Sequence, residues 1–375
     1  MKEGWEYNKI GKLCKTYSGG TPLKNVKEYY QNGNIPWLRS GEVCKKYISE
    51  TEMFITQKGL ENSSAKYYPI DTVVVAMYGA TAAQVGILKI EATSNQAVCG
   101  ILPNRKFLPE FLYYFFCYRK EFLASQAQGG AQPNISQVKI KNLEVPVPPL
   151  PEQQSIVDYL DSAFAKIDAM KANAEKALNE AKALFQASLK EMLEPKDGWE
   201  EKTLPEISEN LDSIRKPVTK GKRTAGIYPY YGASGIVDYV DDYLFDEDLL
   251  CISEDGANLL MRTYPIAFPI SGKVWVNNHA HVLRFKSIIT QKYVEYYFSG
   301  MKLDDYITGA AQPKLTQKAL NNIIINLPST LDTQQSIVET LDFLKSKVDR
   351  LQANYEKISQ ECDALKQAIL RQVFE

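Results

Sequence analysis

The two histidines of the chain, His279 and His281, are the residues best suited to metal or acid–base chemistry. They alternate along a strand-like stretch, so their side chains could face the same side. A zinc site needs three or four protein ligands, and the corresponding stretch of the first half, 94–98, contains no histidine. We therefore expect a structural or contact role for the pair and no metal site.

Loops that bind nucleotide cofactors follow glycine patterns that the sequence lacks. A P-loop needs a second glycine five residues before its Gly-Lys-Ser/Thr end, whereas Gly272-Lys273 continues with Val274 and has no such upstream glycine. A Gly-x-Gly-x-x-Gly loop and the Asn/Asp-Pro-Pro-Tyr/Phe motif of amino-methyltransferases are also absent from the sequence. The acidic run at 241–248 is typical of a solvated turn. We expect a non-catalytic chain that binds no cofactor itself.

Cysteine usage and hydropathy predict the compartment. The six cysteines are scattered without a Cys-x-x-Cys pair, which favours reduced thiols over a disulfide framework. Apolar runs such as 73–77 are too short to cross a bilayer, and the first residues show no export signal. The sequence thus predicts a cytoplasmic protein without membrane contact.

The sequence contains two copies of the same arrangement of segments. Leu150–Asp161 returns as Leu331–Asp342, and residues 150–194 match 331–375 without a gap at 21 of 45 positions. Upstream, Gly129–Ser136 returns more loosely as Gly309–Thr316. The order is a globular segment (1–149), a repeat segment (150–197), a second globular segment (198–330) and a second repeat segment (331–375). The repeat segments are alike and the globular segments are not, which indicates that the repeats serve a common structure and each globular segment a different ligand.

The repeat segments are predicted to be long helices that pair as a coiled coil. Their apolar residues alternate spacings of three and four, as in a helix-pairing seam. Because few residues link the first helix to the second globular segment, we expect antiparallel pairing, with the globular segments at opposite ends about an approximate two-fold axis. The predicted seam comprises Leu160, Ile167, Met170, Leu184, Leu341, Leu344, Val348, Leu351, Ile358, Leu365 and Ile369.

The globular segments mix short strands and helices, which predicts the α+β class. Residues 71–90 read as strands interrupted near Gly79 and Gly86, and the aromatic stretches 110–126 and 291–306 read as amphipathic helices. The overall architecture is then two globular α/β-mixed domains separated by two long helices.

The charge of the chain limits what it can bind alone. Firm binding of nucleic acid normally uses many Lys and Arg contacts to phosphate, but the formal net charge is −1. Residues 1–150 carry 18 basic and 12 acidic side chains, and the rest is weakly acidic. A nucleic-acid function would therefore need partners that supply part of the phosphate contact.

Several motifs make the chain similar to the specificity subunit of type I restriction-modification systems. The most specific is Pro148-Pro-Leu-Pro-Glu-Gln-Gln154, followed by Ile156-Val157 and Ile167-Asp168, whose start is partly repeated from Gln334 onward after the departure at Asp332-Thr333. The resemblance covers essentially the whole chain. The other motifs are Gly19-Gly-Thr-Pro22, Ile35-Pro-Trp37, Asn95-Gln96 and Gln132-Pro133.

The resemblance implies that 1–149 and 198–330 are target recognition domains, each reading one half of a bipartite duplex DNA target. The helices would set the spacer and dock two methylation subunits. Those subunits would bind S-adenosylmethionine, and restriction subunits would bring ATP and Mg²⁺. An alternative stays open at this point, namely a coiled-coil scaffold whose globular ends bind proteins rather than DNA.

Candidate DNA contacts follow from residue type. Arg, Lys, Asn, Gln and hydroxyl side chains read bases, and basic groups hold phosphate. In the first globular segment the candidates are Arg39, Ser40, Lys45, Lys46, Tyr78, Thr81 and Gln84. In the second they are Arg215, Lys216, Lys220, Lys222, Arg223, Tyr231, Ser234, Asn258 and Arg262.

Overall fold

The chain divides into two compact units in a computed structural model that describes residues 4–126, 134–309 and 312–375. Unit 1 comprises residues 1–173 and 357–375, and unit 2 comprises residues 174–356. Each unit therefore combines one globular segment with about half of each long helix. Both globular segments mix strands and helices, so the predicted α+β class is confirmed. The motif Gln132-Pro133 lies outside the described residues.

The strands of unit 1 form a five-stranded sheet in the order β2-β9-β6-β7-β4, a three-stranded sheet β5-β3-β8 and the pair β1-β10. Short helices span Ile10–Leu13, Gln57–Glu61 and Gln137–Lys141, and a longer one spans Pro109–Ser125. The strands are β1 (Tyr7–Lys9), β2 (Thr16–Ser18), β3 (Ile35–Leu38), β4 (Tyr47–Ile48), β5 (Phe54–Ile55), β6 (Val73–Ala76), β7 (Val85–Leu88), β8 (Thr93–Ser94), β9 (Val98–Ile101) and β10 (Glu144–Pro146).

Unit 2 repeats this plan with sheets β12-β19-β16-β17 and β14-β13-β18-β15 and the pair β11-β20. Its helices span Leu204–Ile207, Asn258–Met261, Ile288–Gly300 and Gln317–Asn321. The strands are β11 (Trp199–Thr203), β12 (Ser208–Asn210), β13 (Ala225–Gly232), β14 (Gly235–Val240), β15 (Phe245–Asp246), β16 (Leu249–Ser253), β17 (Ala267–Ile270), β18 (Lys273–Val276), β19 (Ala280–Phe285) and β20 (Ile324–Pro328).

Local sequence explains the centre of unit 1. The four apolar residues of β6 are buried, as expected for a strand covered on both faces. Gly86 does not interrupt a strand, as predicted, but lies inside β7. The position favours glycine because a Cβ there would lie 2.7 Å from Ile48 Cδ1. The aromatic helix Pro109–Ser125 packs on the C-terminal helix, where the ring centroids of Phe111 and Phe374 are 5.5 Å apart.

The repeat segments form the central helix, Leu150–Leu193, and the C-terminal helix, Leu331–Phe374. In unit 1, Asp168 pairs with Lys366 while Lys171, one turn later, lies 4.0 Å from Asp363. In unit 2, Lys182 donates to Gln352 at 2.8 Å. The numbering of the two helices runs in opposite directions within unit 1, so the pairing there is antiparallel as predicted. Within the described residues, no helix is both long and apolar enough to span a membrane.

Part of the predicted seam is wrong. Leu160, Ile167 and Leu341 are buried, and Leu344, Val348, Leu351, Ile358 and Ile369 are half-buried. Met170, Leu184 and Leu365, however, are 57%, 60% and 46% exposed. The central helix is rotated relative to a stripe through Met170 and Leu184: Leu178 is buried, and Phe164 and Phe185 are half-buried. These large side chains bury more apolar area than their neighbours Ala163 and Ala177 would in their place. In the C-terminal helix, docking of Leu370, Val373 and Phe374 in the core of unit 1 sets the rotation and turns Leu365 outward.

This rotation predicts opposite results for two residues one turn apart. Ile167→Asp should lower the free energy of unfolding by at least about 3 kcal/mol, because it leaves an unpaired carboxylate in a buried site. Met170→Asp should change it by less than about 0.5 kcal/mol, since the side chain is in solvent. Chemical denaturation of the two variants measures the difference. Equal destabilisation would contradict the observed rotation of the helix.

Candidate nucleic-acid interface

In unit 1, loops that carry several of the predicted contact residues are joined by backbone hydrogen bonds. Asn95 donates from its backbone to Leu38 at 3.0 Å, Met77 to Ala97 at 2.8 Å, and Ile135 to Met77 at 2.8 Å. Gly20 joins the same set by donating to Ser94 at 2.8 Å. We call this set the loop junction of unit 1; its loops are 19–22, 39–42, 77–84, 95–97 and 134–136.

Unit 2 has an equivalent loop junction. The backbone of Asn277 donates to Tyr231 at 3.1 Å, that of Glu254 to His279 at 2.9 Å, and that of Leu315 to Glu254 at 2.8 Å. These bonds match those of Asn95, Met77 and Ile135 one for one. The loops of this junction are 215–217, 232–235, 254–258, 277–279 and 314–316.

The strands that lead into the loops of the two junctions also share their register. β3 pairs in parallel with β8, with Trp37 opposite Thr93, and β13 pairs in parallel with β18, with Tyr230 opposite Trp275. The Asn that ends each second strand accepts a hydrogen bond two residues on, Asn95 from Ala97 at 3.1 Å and Asn277 from His279 at 2.8 Å. The two junctions are thus one backbone frame built twice.

The frame carries different side chains in the two units. Ile135 and Leu315 are both fully buried and fix the frame. The side chains at equivalent positions around them differ in charge and size, so that the two junctions differ chemically. The equivalent pairs, unit 1 first, are Met77 and Glu254, Tyr78 and Asp255, Ala97 and His279, Cys99 and His281, and Asn134 and Lys314.

Arg215, predicted to hold phosphate, is instead an internal residue of unit 2. Its side chain is 11% exposed and lies 2.7 Å from Glu254 and 3.2 Å from Asp212. It also donates to the backbone oxygen of Ala280 at 2.6 Å. The guanidinium therefore neutralises buried carboxylates, and the prediction that it contacts DNA is wrong.

His281 completes this buried network. Its Nδ1 lies 2.6 Å from Asp212 and its Nε2 lies 2.8 Å from the backbone oxygen of Leu315. Burial opposes ionisation of Asp212 and Glu254, but hydrogen bonds from His281 to Asp212 and from Arg215 to Glu254 outweigh it and lower the pKa of both carboxyls.

The same three groups, Asp212, Glu254 and His281, have ligand atoms within 4.8 Å of one another, as in a metal site. The two carboxylates stand 69 and 27 residues before His281 along the chain, so the sequence alone indicates only the histidine pair. Arg215 already occupies both carboxylates, and both ring nitrogens of His281 face protein acceptors. We therefore interpret the group as an ion-pair network.

Three further cations are committed to contacts inside their units. Lys46 pairs with Asp161 on the central helix and lies 3.3 Å from the hydroxyl of Tyr114. Arg223 bonds Asp238 at 2.9 Å, and Arg262 donates to the carbonyls of Phe298 and Met301 at 2.8 and 2.5 Å, at the end of helix Ile288–Gly300. The contact of Lys46, Arg223 and Arg262 with DNA stays a prediction, and all three already have partners inside their units.

Two polar candidates are similarly engaged. Asn258 closes its own loop, donating to the backbone of Tyr264 at 3.0 Å and accepting from it at 2.9 Å. Tyr231 stacks on Phe268 with ring centroids 6.0 Å apart. Both residues shape the junction of unit 2, and their contact with bases stays a prediction.

The other candidates stay predictions, and their side chains reach solvent. Lys216, Lys220 and Lys222 are exposed and have no ion-pair partner in the part of the chain that the structure describes. Arg39 pairs with Glu52 and lines a cleft of about 860 Å³ in unit 1, together with Lys24, Lys27, Gln31 and Gln96, which the sequence analysis missed. The remaining exposed or half-exposed candidates are Ser40, Lys45, Tyr78, Thr81, Gln84 and Ser234.

The repeated Gln-Gln motif has a structural explanation. Gln153 is fully buried; its amide donates to Lys106 and Pro148 and accepts from Leu108, all within 2.9 Å. Gln334 donates to Pro328 at 2.8 Å in the same way. The motif therefore secures the start of each long helix against its globular segment.

A second repeated contact lies two turns further along each helix. Tyr114 donates to Asp161, and in unit 2 Tyr296 donates to Asp342 at 2.6 Å while Lys292 pairs with the same carboxylate at 2.8 Å. Burial of Asp342 opposes its ionisation, but the bonds from Lys292 and Tyr296 outweigh it and lower its pKa. Each globular segment is thus fixed to its helix by an equivalent contact with a half-exposed carboxylate.

Comparison with known proteins gives a consistent picture of the whole chain. The family model of the type I restriction modification DNA specificity domain matches twice, over residues 2–180 and 196–360. Two solved structures share the fold along the full chain: a chain from the type I R-M system, with a TM-score of 0.78 at 18% identity and 98% of that chain covered, and the HsdS subunit of Thermoanaerobacter tengcongensis, with 0.57 at 19% identity and 97% covered.

Curated relatives are similar over shorter segments. A type I restriction enzyme specificity subunit of Escherichia coli is 31% identical over 43% of this chain and 41% of its own length. A putative one of Haemophilus influenzae is 36% identical over 38% of this chain and 36% of its own length. The match thus spans about two fifths of these relatives. The EcoprrI specificity subunit of Escherichia coli matches 90% of this chain and 86% of its own length at 23% identity.

Proposed function

The chain belongs to the type I restriction modification DNA specificity family, and we propose that it is the DNA recognition subunit of a type I restriction-modification complex. Each unit reads one half of a bipartite duplex target. The chain itself catalyses no step, and the long helices set the distance between the half-sites and dock the partner subunits.

The observation that carries this proposal is the pair of loop junctions. One backbone frame occurs twice, and it presents different side chains at equivalent positions. A protein that reads two different sequences needs a common way of meeting the duplex and different groups facing the bases. A scaffold that binds two unrelated proteins has no need of a common frame, and the family match does not favour that alternative.

The partners follow from what the chain lacks. The sequence has no loop for S-adenosylmethionine or ATP, so two methylation subunits would supply the methyl donor, and restriction subunits would supply ATP- and Mg²⁺-dependent cleavage. These subunits would also complete the hold on phosphate, because the chain has a net charge of −1.

The test is methylation by the assembled complex. Co-expression of this chain with the methylation subunits of its own system should methylate adenines in one bipartite motif, detected by sequencing of modified bases. Either component alone should give no motif. Methyl transfer by the purified chain alone, or a complex that binds DNA without sequence preference, would contradict the proposed function.

A further inference from the structure

In the junction of unit 2, an outer layer of hydrogen-bonding groups lies over an inner layer of carboxylates. The side chains of Asp212, Glu254 and Asp255 are only 7%, 12% and 15% exposed. Lys314 and His279, which contact two of these carboxylates, are each 48% exposed. Buried carboxylates that hold exposed donors fix the direction of those donors before a ligand arrives.

Lys314 is held as a donor. Its Nζ lies 3.1 Å from Glu254 Oε1, and its backbone forms a bridge with Asp255. An ammonium group has three donors, so contact with Glu254 leaves others for a ligand. Glu254 is itself anchored by Arg215, which gives Lys314 a fixed support.

His279 is held as an acceptor beside it. Its Nδ1 lies 2.8 and 3.0 Å from the two oxygens of Asp255. When the ring is neutral, the carboxylate accepts the proton on Nδ1 and the lone pair of Nε2 is left for a ligand. A hydrogen-bond donor and a hydrogen-bond acceptor thus stand on adjoining loops of one junction.

We propose that Lys314 and His279 read a G·C base pair in the half-site of unit 2. The major-groove edge of this pair offers the acceptors N7 and O6 on guanine and the N4 amino donor on cytosine. Lys314 supplies the donor that guanine requires, and His279 Nε2 supplies the acceptor for the amino group. The assignment rests on the proposed function and adds the chemistry of one base pair to it.

Unit 1 lacks this pair of groups. Asn134 and Ala97 stand at the positions of Lys314 and His279, and they provide neither the ammonium nor the imidazole. Base recognition at the half-site of unit 1 should therefore be unaffected by substitution of Lys314 or His279.

The first experiment replaces the donor. In the complete complex, Lys314→Met should lose discrimination at one G·C pair of the unit 2 half-site and lower methylation of the original motif by roughly 5- to 150-fold, the effect of losing one specific base contact. Lys314→Arg, which keeps the donor, should retain the preference for guanine. Lys286→Met is the matched control, because Lys286 is exposed at the other end of β19 from His279.

The second experiment changes the DNA. A duplex with 7-deazaguanine at that position lacks the N7 acceptor. The wild-type complex should bind this duplex more weakly than the unmodified duplex, whereas the Lys314→Met complex should bind both duplexes equally well. A unit 2 half-site without a G·C pair, or unchanged base preference in Lys314→Met, would overturn the assignment. Failure of the wild-type complex to methylate any bipartite motif would instead overturn the proposed function.

Discussion

Exchange of residues 1–149 for the equivalent segment of a relative with another target should change one half of the methylated motif and leave the other half intact. The junction of unit 1 is built from loops within 19–136, all of which the exchange replaces. Each mismatched base pair costs about 1–3 kcal/mol. Two changed pairs would therefore lower affinity for the old target by about 30-fold or more.

Sequencing of modified bases from cells carrying the chimaera and its methylation subunits measures the result. The reciprocal exchange of residues 198–330 is the matched control and should change the opposite half. A change in both halves from one exchange, or in neither, would contradict independent reading by the two units.

Much of the architecture could be predicted because its signals are local in the sequence and occur twice. Identity between the repeat segments gave the order of segments, and the apolar spacing gave the helix pair. The rotation of the central helix could not be predicted, because an inward-facing stripe through Lys171 instead of Met170 keeps the alternating spacings of three and four residues. Packing of Phe164, Leu178 and Phe185 decides it, and that is a property of three-dimensional contact.

The site could be predicted only in part, because residue type does not reveal what a side chain touches. Arg215 and Lys216 are adjacent basic residues in the sequence, yet Arg215 is inside an ion-pair network and Lys216 is exposed. The partners of Arg215, Asp212 and Glu254, are brought together by pairing of β12, β19 and β16. Asp212 is only three residues from Arg215, but no local pattern predicts that Glu254, 39 residues away, joins them.

This contrast predicts a large loss of stability at Arg215 and almost none at its neighbour. Arg215→Met removes the guanidinium that contacts both Asp212 and Glu254, and removal of one partner from a buried pair costs about 3–5 kcal/mol. Lys216→Met should change the free energy of unfolding by less than about 0.5 kcal/mol, although it removes a candidate phosphate contact. Chemical denaturation of the two variants gives the comparison, and equal stability would show that the network contributes nothing to the fold.

The stability difference between the wild type and Arg215→Met should depend on pH. In the wild type, the pKa values of Asp212 and Glu254 are lowered, so their contribution is complete above their unfolded values near about 4 and is lost as pH falls through the folded values. Removal of Arg215 takes from Glu254 its strongest hydrogen bond and from Asp212 one of several favourable contacts, so the pKa of both carboxyls should rise relative to the wild type, while His281 and Lys314 still oppose the effect of burial. The carboxyls of the variant are then protonated at a higher pH than those of the wild type, so the difference in melting temperature should narrow as pH falls from 7 toward 4. A gap that widens over this range would mean that Arg215 does not balance these charges.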